Sequence, residues 1–184
     1  MTGESFAHWY KNNPALQLKQ NAASVEGVDL IINATRGDAS LDVLASIGTD
    51  KLQGKIMLDI ANPLDFSNGM PPTLFVSNTT SLAEQIQEKF PGLKVVKALN
   101  TMSASIMVHP ESIAGDHNVF VCGNHEEAKN TTIDVLKSLG WKQKNILDLG
   151  DITAARGTEM LLPIWLRLWN TFGDVNFNFH IQRN

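Results

Sequence analysis

Six short runs of aliphatic and β-branched residues, each closed by Gly, Asn, Asp or Thr, limit what this chain can become. They span residues 16–19, 29–34, 55–60, 94–99, 118–122 and 145–149. At four to six residues each, they have the length of strands rather than helices. Patterns with helical spacing lie between most of them. Residues 40–47 put Leu41, Leu44, Ala45 and Ile47 on one broad face, and residues 81–90 space Leu82, Ile86 and Phe90 four apart. Ser81 stands three residues before Glu84, as in a capping box. Residues 126–139 turn Ala128, Ile133, Leu136 and Leu139 inward, and Gly140 is a natural stop. A last helix, over residues 153–172, carries Leu161, Leu162, Trp165, Leu168 and Trp169, with Pro163 near its first turns. Strands alternating with helices predict a doubly wound α/β fold. Its mostly parallel sheet is covered on both faces and its crossovers are right-handed.

The 184 residues form one domain, 1–184, with room for a proper core. Apolar residues at 43% and charged residues at 18% exclude a disordered or fibrous chain. A net charge of −4 argues against a broad nucleic-acid surface. The single cysteine, Cys122, excludes an internal disulfide framework and a cysteine-cluster zinc site. No apolar run approaches the roughly 18 residues of a membrane span. The richest, 160–169, is short and carries Arg167. The start, MTGESFAHWYKNN, lacks the basic-then-apolar order of a secretory signal. The expectation is a soluble cytoplasmic protein.

In an open α/β sheet, ligands bind beyond the carboxyl ends of the strands. Here those ends read Asn33-Ala34-Thr35-Arg36-Gly37, Ala61-Asn62-Pro63-Leu64-Asp65-Phe66, Asn100-Thr101-Met102-Ser103 and Gly150-Asp151-Ile152-Thr153. Small and amide-bearing residues of this kind offer backbone groups and neutral hydrogen-bond partners to a flat polar ligand. They form neither a nucleophile–base pair nor a carboxylate cage. Each alone also reads as a turn or a cap: Asn-Pro starts turns, and Thr35 or Thr101 could cap a helix. Their recurrence at successive strand ends favours a site. The turn-rich connection 62–80, with Asn68-Gly69 and Pro71-Pro72, is the one loop of functional length.

A strand ending in Asn-Ala-Thr is followed by GKIMLDIANPLDF, SLAEQIQEKFPGLKVVKALNT, HNVFVCGN and LDLGDITAARGTEMLLPIWLRLW. In this order, over about residues 15–180, the chain resembles the NADP-binding, Rossmann-like domain of the NADPH-dependent coenzyme F-420 reductase family. It is also similar to the N-terminal domains of pyrroline-5-carboxylate reductases and of membrane ferric reductases. The resemblance implies hydride transfer between NADPH and a second cofactor or small acceptor, such as a flavin or deazaflavin. It implies that Ala34 and Thr35 line the dinucleotide, that Asn62 and Pro63 flank the nicotinamide, and that Asn100 and Thr101 sit near the hydride acceptor. The lack of an obvious acid–base pair does not count against this, because hydride transfer between two rings depends on stacking and orientation more than on acid–base help.

The family opens with a strand and a G-x-G-x-x-G turn whose N–H groups hold the pyrophosphate. The early glycines here, Gly3, Gly27, Gly37, Gly48 and Gly54, do not form that pattern. The next family strand, which selects the 2′-phosphate, has no counterpart either. The fold is therefore expected to be N-terminally incomplete by about one βαβ unit of 30 residues or more. The strand at 29–34 would then show an apolar edge. Three outcomes stay open: a fragment of a longer protein, a second chain over the edge, or residues 6–10 with Trp9 folded across it. The alternative to an oxidoreductase is a non-enzymatic, truncated Rossmann-like remnant or a binding and dimerisation module without a pyrophosphate site. A further alternative is a flavin- or deazaflavin-binding partner whose dinucleotide comes from another subunit.

Among the remaining residues, His109-Pro110-Glu111 reads as a loop. His8, His117 and His125 lie in polar stretches without metal-ligand spacing. Cys122 reads as a small buried apolar residue. Asp59, inside a strand, needs buried partners such as backbone N–H groups. Arg156 and Glu159, three apart, are placed to pair across a helical turn. The last helix is apolar nearly all round, which favours a homodimer interface anchored by Trp.

Overall fold

A computed structural model of the chain describes residues 6–183. Residues 1–5 and 184, and with them Gly3 and the opening residues of the signal comparison, lie outside the described residues. In chain order the elements are α1 (Phe6–Lys11), α2 (Asn21–Ser24), β1 (Leu30–Asn33), α3 (Gly37–Ile47), α4 (Thr49–Leu52) and β2 (Ile56–Asp59). A small hairpin of β3 (Leu64–Asp65) and β4 (Thr73–Leu74) follows, then α5 (Leu82–Lys89), β5 (Lys94–Ala98) and α6 (Ala104–Val108). The chain continues through β6 (Val119–Gly123), α7 (Glu126–Ser138), β7 (Ile146–Asp148), α8 (Ala155–Met160) and α9 (Leu162–Phe172).

The main sheet has the order β1-β2-β5-β6-β7. β1, β2 and β5 run parallel, β6 is antiparallel to β5, and β7 is parallel to β6. The architecture is thus a mostly parallel, Rossmann-like α/β fold with helices on both faces. Alternation along the strands explains how both faces are filled. Met57, Val95 and Cys122 face one buried cluster with Leu44, Leu82, Ile86 and Ala155. Their neighbours Leu58, Val96 and Val121 face the other, with Ile106, Ala128, Leu136 and Trp141. Each fully buried Leu or Ile of this kind contributes about 1.5–3 kcal/mol of transfer free energy.

Several expectations need correction. Residues 16–19 form no strand. The Leu-Gln-Leu-Lys alternation fits a strand, but Leu18 is 62% exposed, and the Tyr10 hydroxyl bonds Leu16 O and Leu18 N instead. The final helix is two helices, α8 and α9, separated at Leu161, with Pro163 in the first turn of the second. The reversed direction of β6 and β7 carries the end of β7, Gly150–Thr153, to the edge opposite the ends of β1, β2 and β5. β1 is an edge strand, and its Ile32 is 56% exposed.

Residues 178–181 strap the start of β6. Asn118 N donates to Phe179 O at 2.8 Å, and Ile181 N donates to Asn118 Oδ1 at 2.7 Å. His117, although in a polar stretch of sequence, is buried at 6% exposure. Its Nε2 meets Pro110 O at 2.9 Å, and its ring sits edge-on to Trp141 with centroids 5.0 Å apart.

Candidate functional site

The carboxyl ends of β1, β2 and β5 lie side by side, so Ala34-Thr35, Asn62-Pro63 and Asn100-Thr101 share one edge of the sheet. The two amides in the middle are joined. Asn62 Nδ2 donates to Asn100 O at 2.9 Å, and Asn100 Nδ2 donates back to Asn62 Oδ1 at 3.0 Å. Leu99, just before Asn100, has φ 64°. This left-handed bend is costly for a side chain of its size, and it turns the chain out of β5 at the point where Asn100 meets Asn62. Asn62 itself is half-buried, while Pro63, Asn100 and Thr101 are covered.

Thr35 caps no helix. Its hydroxyl donates to Asn33 Oδ1 at 2.7 Å and lies 2.8 Å from Ser40 Oγ. Asn33 in turn donates to Asp59 Oδ1 at 2.8 Å. Gly37 opens α3 hard against the second strand end. A Cβ there would lie 2.0 Å from the Asn62 carbonyl oxygen.

Beneath the rim lies a buried ionic cluster that the sequence reading missed. Strand register aligns Asn33 with Asp59, Asp59 with Lys97, and Lys97 with Cys122. Lys97, 1% exposed, donates to Asp59 Oδ2 at 2.8 Å and to the Ala61 carbonyl, and its ammonium pairs with Glu159 Oε1 at 3.0 Å. Glu159 also takes the Leu82 N–H at 2.8 Å and the Ala83 N–H at 3.2 Å. The Ala61 N–H bonds Asp59 Oδ1 at 3.2 Å, the backbone partner expected for Asp59. Burial works against the Lys97 charge, but the carboxylates of Asp59 and Glu159 outweigh it and hold the ammonium above its ordinary value. Burial pushes the Glu159 carboxyl up, against the pull of Lys97 and the Leu82 N–H. The available signal was a charge set inside each of two apolar runs, Asp59 within residues 55–60 and Lys97 within residues 94–99.

Arg156 does not pair with Glu159. It forks onto Glu84, with Nε 2.9 Å and Nη2 2.5 Å from the two carboxylate oxygens. Burial of Glu84 is outweighed by the bonds from Arg156 and Ser81, which hold its carboxyl below the usual range. Burial pushes the Cys122 thiol up to about 12, so it is inert as a nucleophile at neutral pH. Among the described residues, no three His, Cys, Asp or Glu side chains gather as metal ligands would. No helix among them is long and apolar enough to cross a membrane.

Two cavities are lined in part by the 62–80 loop. One of about 490 Å³ lies against Arg36, Asp38, Phe66 and Phe75. The other, about 380 Å³, lies between Met70-Pro71 and the Leu166–Gly173 side of α9. Neither is lined by the six predicted site residues.

No protein-family profile matches the chain. A crystal structure from Arthrobacter sp. FB24, of a protein proposed to be an F420-dependent NADP reductase, is 53% identical to it. That structure superposes with a TM-score of 0.93, over 98% of this chain and 83% of the other. The chain belongs to the F420-dependent NADP reductase family. The F420-dependent NADP reductase of Methanocaldococcus jannaschii is 28% identical over 152 residues, 82% of this chain and 66% of that protein. The rat metalloreductase STEAP3 is 33% identical over 121 residues, 63% of this chain and 22% of that protein. The chain thus spans about a fifth of the rat relative and about two thirds of the archaeal one.

Proposed function

We propose that residues 1–184 act as one dinucleotide-binding domain of an NADP-dependent oxidoreductase. The hydride passes between NADPH and a second cofactor or small acceptor, and a deazaflavin of the F420 type is the acceptor that family membership favours. The observation that carries this reading is the joined Asn62–Asn100 amide pair at the ends of adjacent parallel strands. That is where an open α/β sheet takes its ligand.

NADPH would supply the hydride; this chain supplies position. Thr35 and the backbone at Ala34 line the dinucleotide, Asn62 and Pro63 flank the nicotinamide, and Asn100 and Thr101 lie beneath, on the acceptor side. The ionic groups below the rim are buried and engaged with one another, and the six rim residues themselves carry no charge. A neutral rim suits a transfer that depends on ring orientation and excluded water rather than on a proton donor. The face of α9 with Ile164 and Phe172 exposed supports a homodimer.

A second reading is favoured by two observations. The sequence contains no G-x-G-x-x-G turn, and β1 shows Ile32 at an open edge. On that reading the chain is a non-enzymatic Rossmann-like binding or dimerisation module. A thermal-shift titration with NADPH, NADH and buffer separates the two. A ligand that binds only the folded state stabilises it by about 2.7 kcal/mol at 100 times its Kd. An NADPH-specific rise in Tm is the expected result. A cooperative melt that neither nucleotide moves would give the second reading the lead.

A further inference from the structure

We propose that Lys97 is a positioning residue for the strand-end site, holding both ends of the 62–80 loop and the Asn33–Thr35 rim in one register. The inference rests on the reading of that edge as the ligand site. An ammonium has three protons, and the three partners of Lys97 each lead to a different part of the edge. One proton goes to the Ala61 carbonyl, in the peptide that joins directly to Asn62, where the loop begins. Another side of the ammonium forms an ion pair with Glu159 at 3.0 Å, and that carboxylate holds the Leu82 and Ala83 N–H groups where the loop ends. The third partner is Asp59, whose other oxygen holds Asn33, and Asn33 holds Thr35. The loop between carries the β3–β4 hairpin and the exposed Phe66, Met70 and Phe75.

The arrangement is unnecessary for packing. The neighbours of Lys97 in β5, Val95 and Val96, show what an apolar residue does in this sheet. Two carboxylates and one ammonium leave a residual negative charge, so the cluster is a poor device for stability alone. A fully satisfied polar network instead fixes a unique arrangement of the groups it joins. Here those groups are the three strand ends and the first turn of α5.

The test compares hydrogen–deuterium exchange and NADPH titration in the wild-type chain with the same measurements in three variants. Lys97→Met combined with Asp59→Asn keeps the cluster's residual charge and removes the ammonium fork. Exchange over residues 61–82 should quicken by about tenfold or more, while β6 and α7 keep their protection. The Kd for NADPH should rise by about tenfold or more under conditions where the variant is folded. Glu159→Gln keeps Lys97 and should quicken exchange at residues 80–83 but not at 61–65. Lys129→Met removes another covered lysine, paired with Asp148 and Glu126, and should leave the loop unchanged. The proposal is overturned by a folded double variant with unchanged loop exchange. It is equally overturned if the Glu159→Gln effect spreads over the whole loop, or if Lys129→Met reproduces it. If the wild-type chain binds no NADPH yet the double variant loosens the loop alone, the clamp stands and the oxidoreductase reading falls.

Discussion

The missing side chain at Gly37 lets α3 begin against the Asn62 carbonyl. Gly37→Ala would place a methyl 2.0 Å from that oxygen, and backbone on both sides leaves little room to yield. A destabilisation of about 1–3 kcal/mol is expected, read as a lower urea midpoint, together with weaker NADPH binding because Asn62 is displaced. Lys97 makes a second prediction through pH. Its folded-state value lies above the ordinary 10.5, so the folded state holds the proton more tightly than the unfolded chain does. That stabilisation is fully present below pH 10.5 and is lost as pH rises through the folded value. Urea midpoints measured through the alkaline range should fall more steeply for the wild type than for Lys97→Met/Asp59→Asn. At this scale the sequence showed half of each pair. Asp59 was legible as a buried carboxylate needing partners, but its main partner is 38 residues away, and only strand register brings the two together. Arg156 and Glu159 had the right spacing for each other, yet each takes a more distant partner.

The start of α5 shows how an element is finished by residues that lie outside it. The Leu82 and Ala83 N–H groups go to Glu159, and the Glu84 N–H goes to Ser81 Oγ at 3.1 Å. A buried helix end thereby loses the orphan donors that would otherwise destabilise it. Ser81→Ala should cost about 1 kcal/mol. Glu159→Ala, which also strips a partner from a buried ammonium, should cost about 3–5 kcal/mol. Chemical denaturation of both variants would check the ranking. The Ser81 cap was legible because it is local, whereas the Glu159 cap is not. Five of the six predicted strands are present, because β-branched runs between turn residues carry their own signal. The β3–β4 hairpin escaped notice because two-residue strands have no periodicity to read. The run at 16–19 had the periodicity but nothing to pair with.

For the molecule as a whole, strand direction was the least legible property. A buried run reads the same whether its strand runs up or down, so the reversal at β6 was invisible. With it, the fourth strand end left the site. The outward face of α9 belongs to this scale too. Ile164 and Phe172 are exposed there, and a homodimer through this face predicts that Ile164→Lys yields monomers by analytical ultracentrifugation without loss of cooperative melting. The bond from the Leu82 N–H to Glu159 closes a span of 77 residues. Contacts that distant in sequence raise contact order and slow folding. On the ribosome, Lys97 and the first turn of α5 must wait, incompletely bonded, until Glu159 has cleared the exit tunnel. The edge that would receive a ligand therefore takes its final shape only near the end of synthesis, well after the strands that frame it have been made.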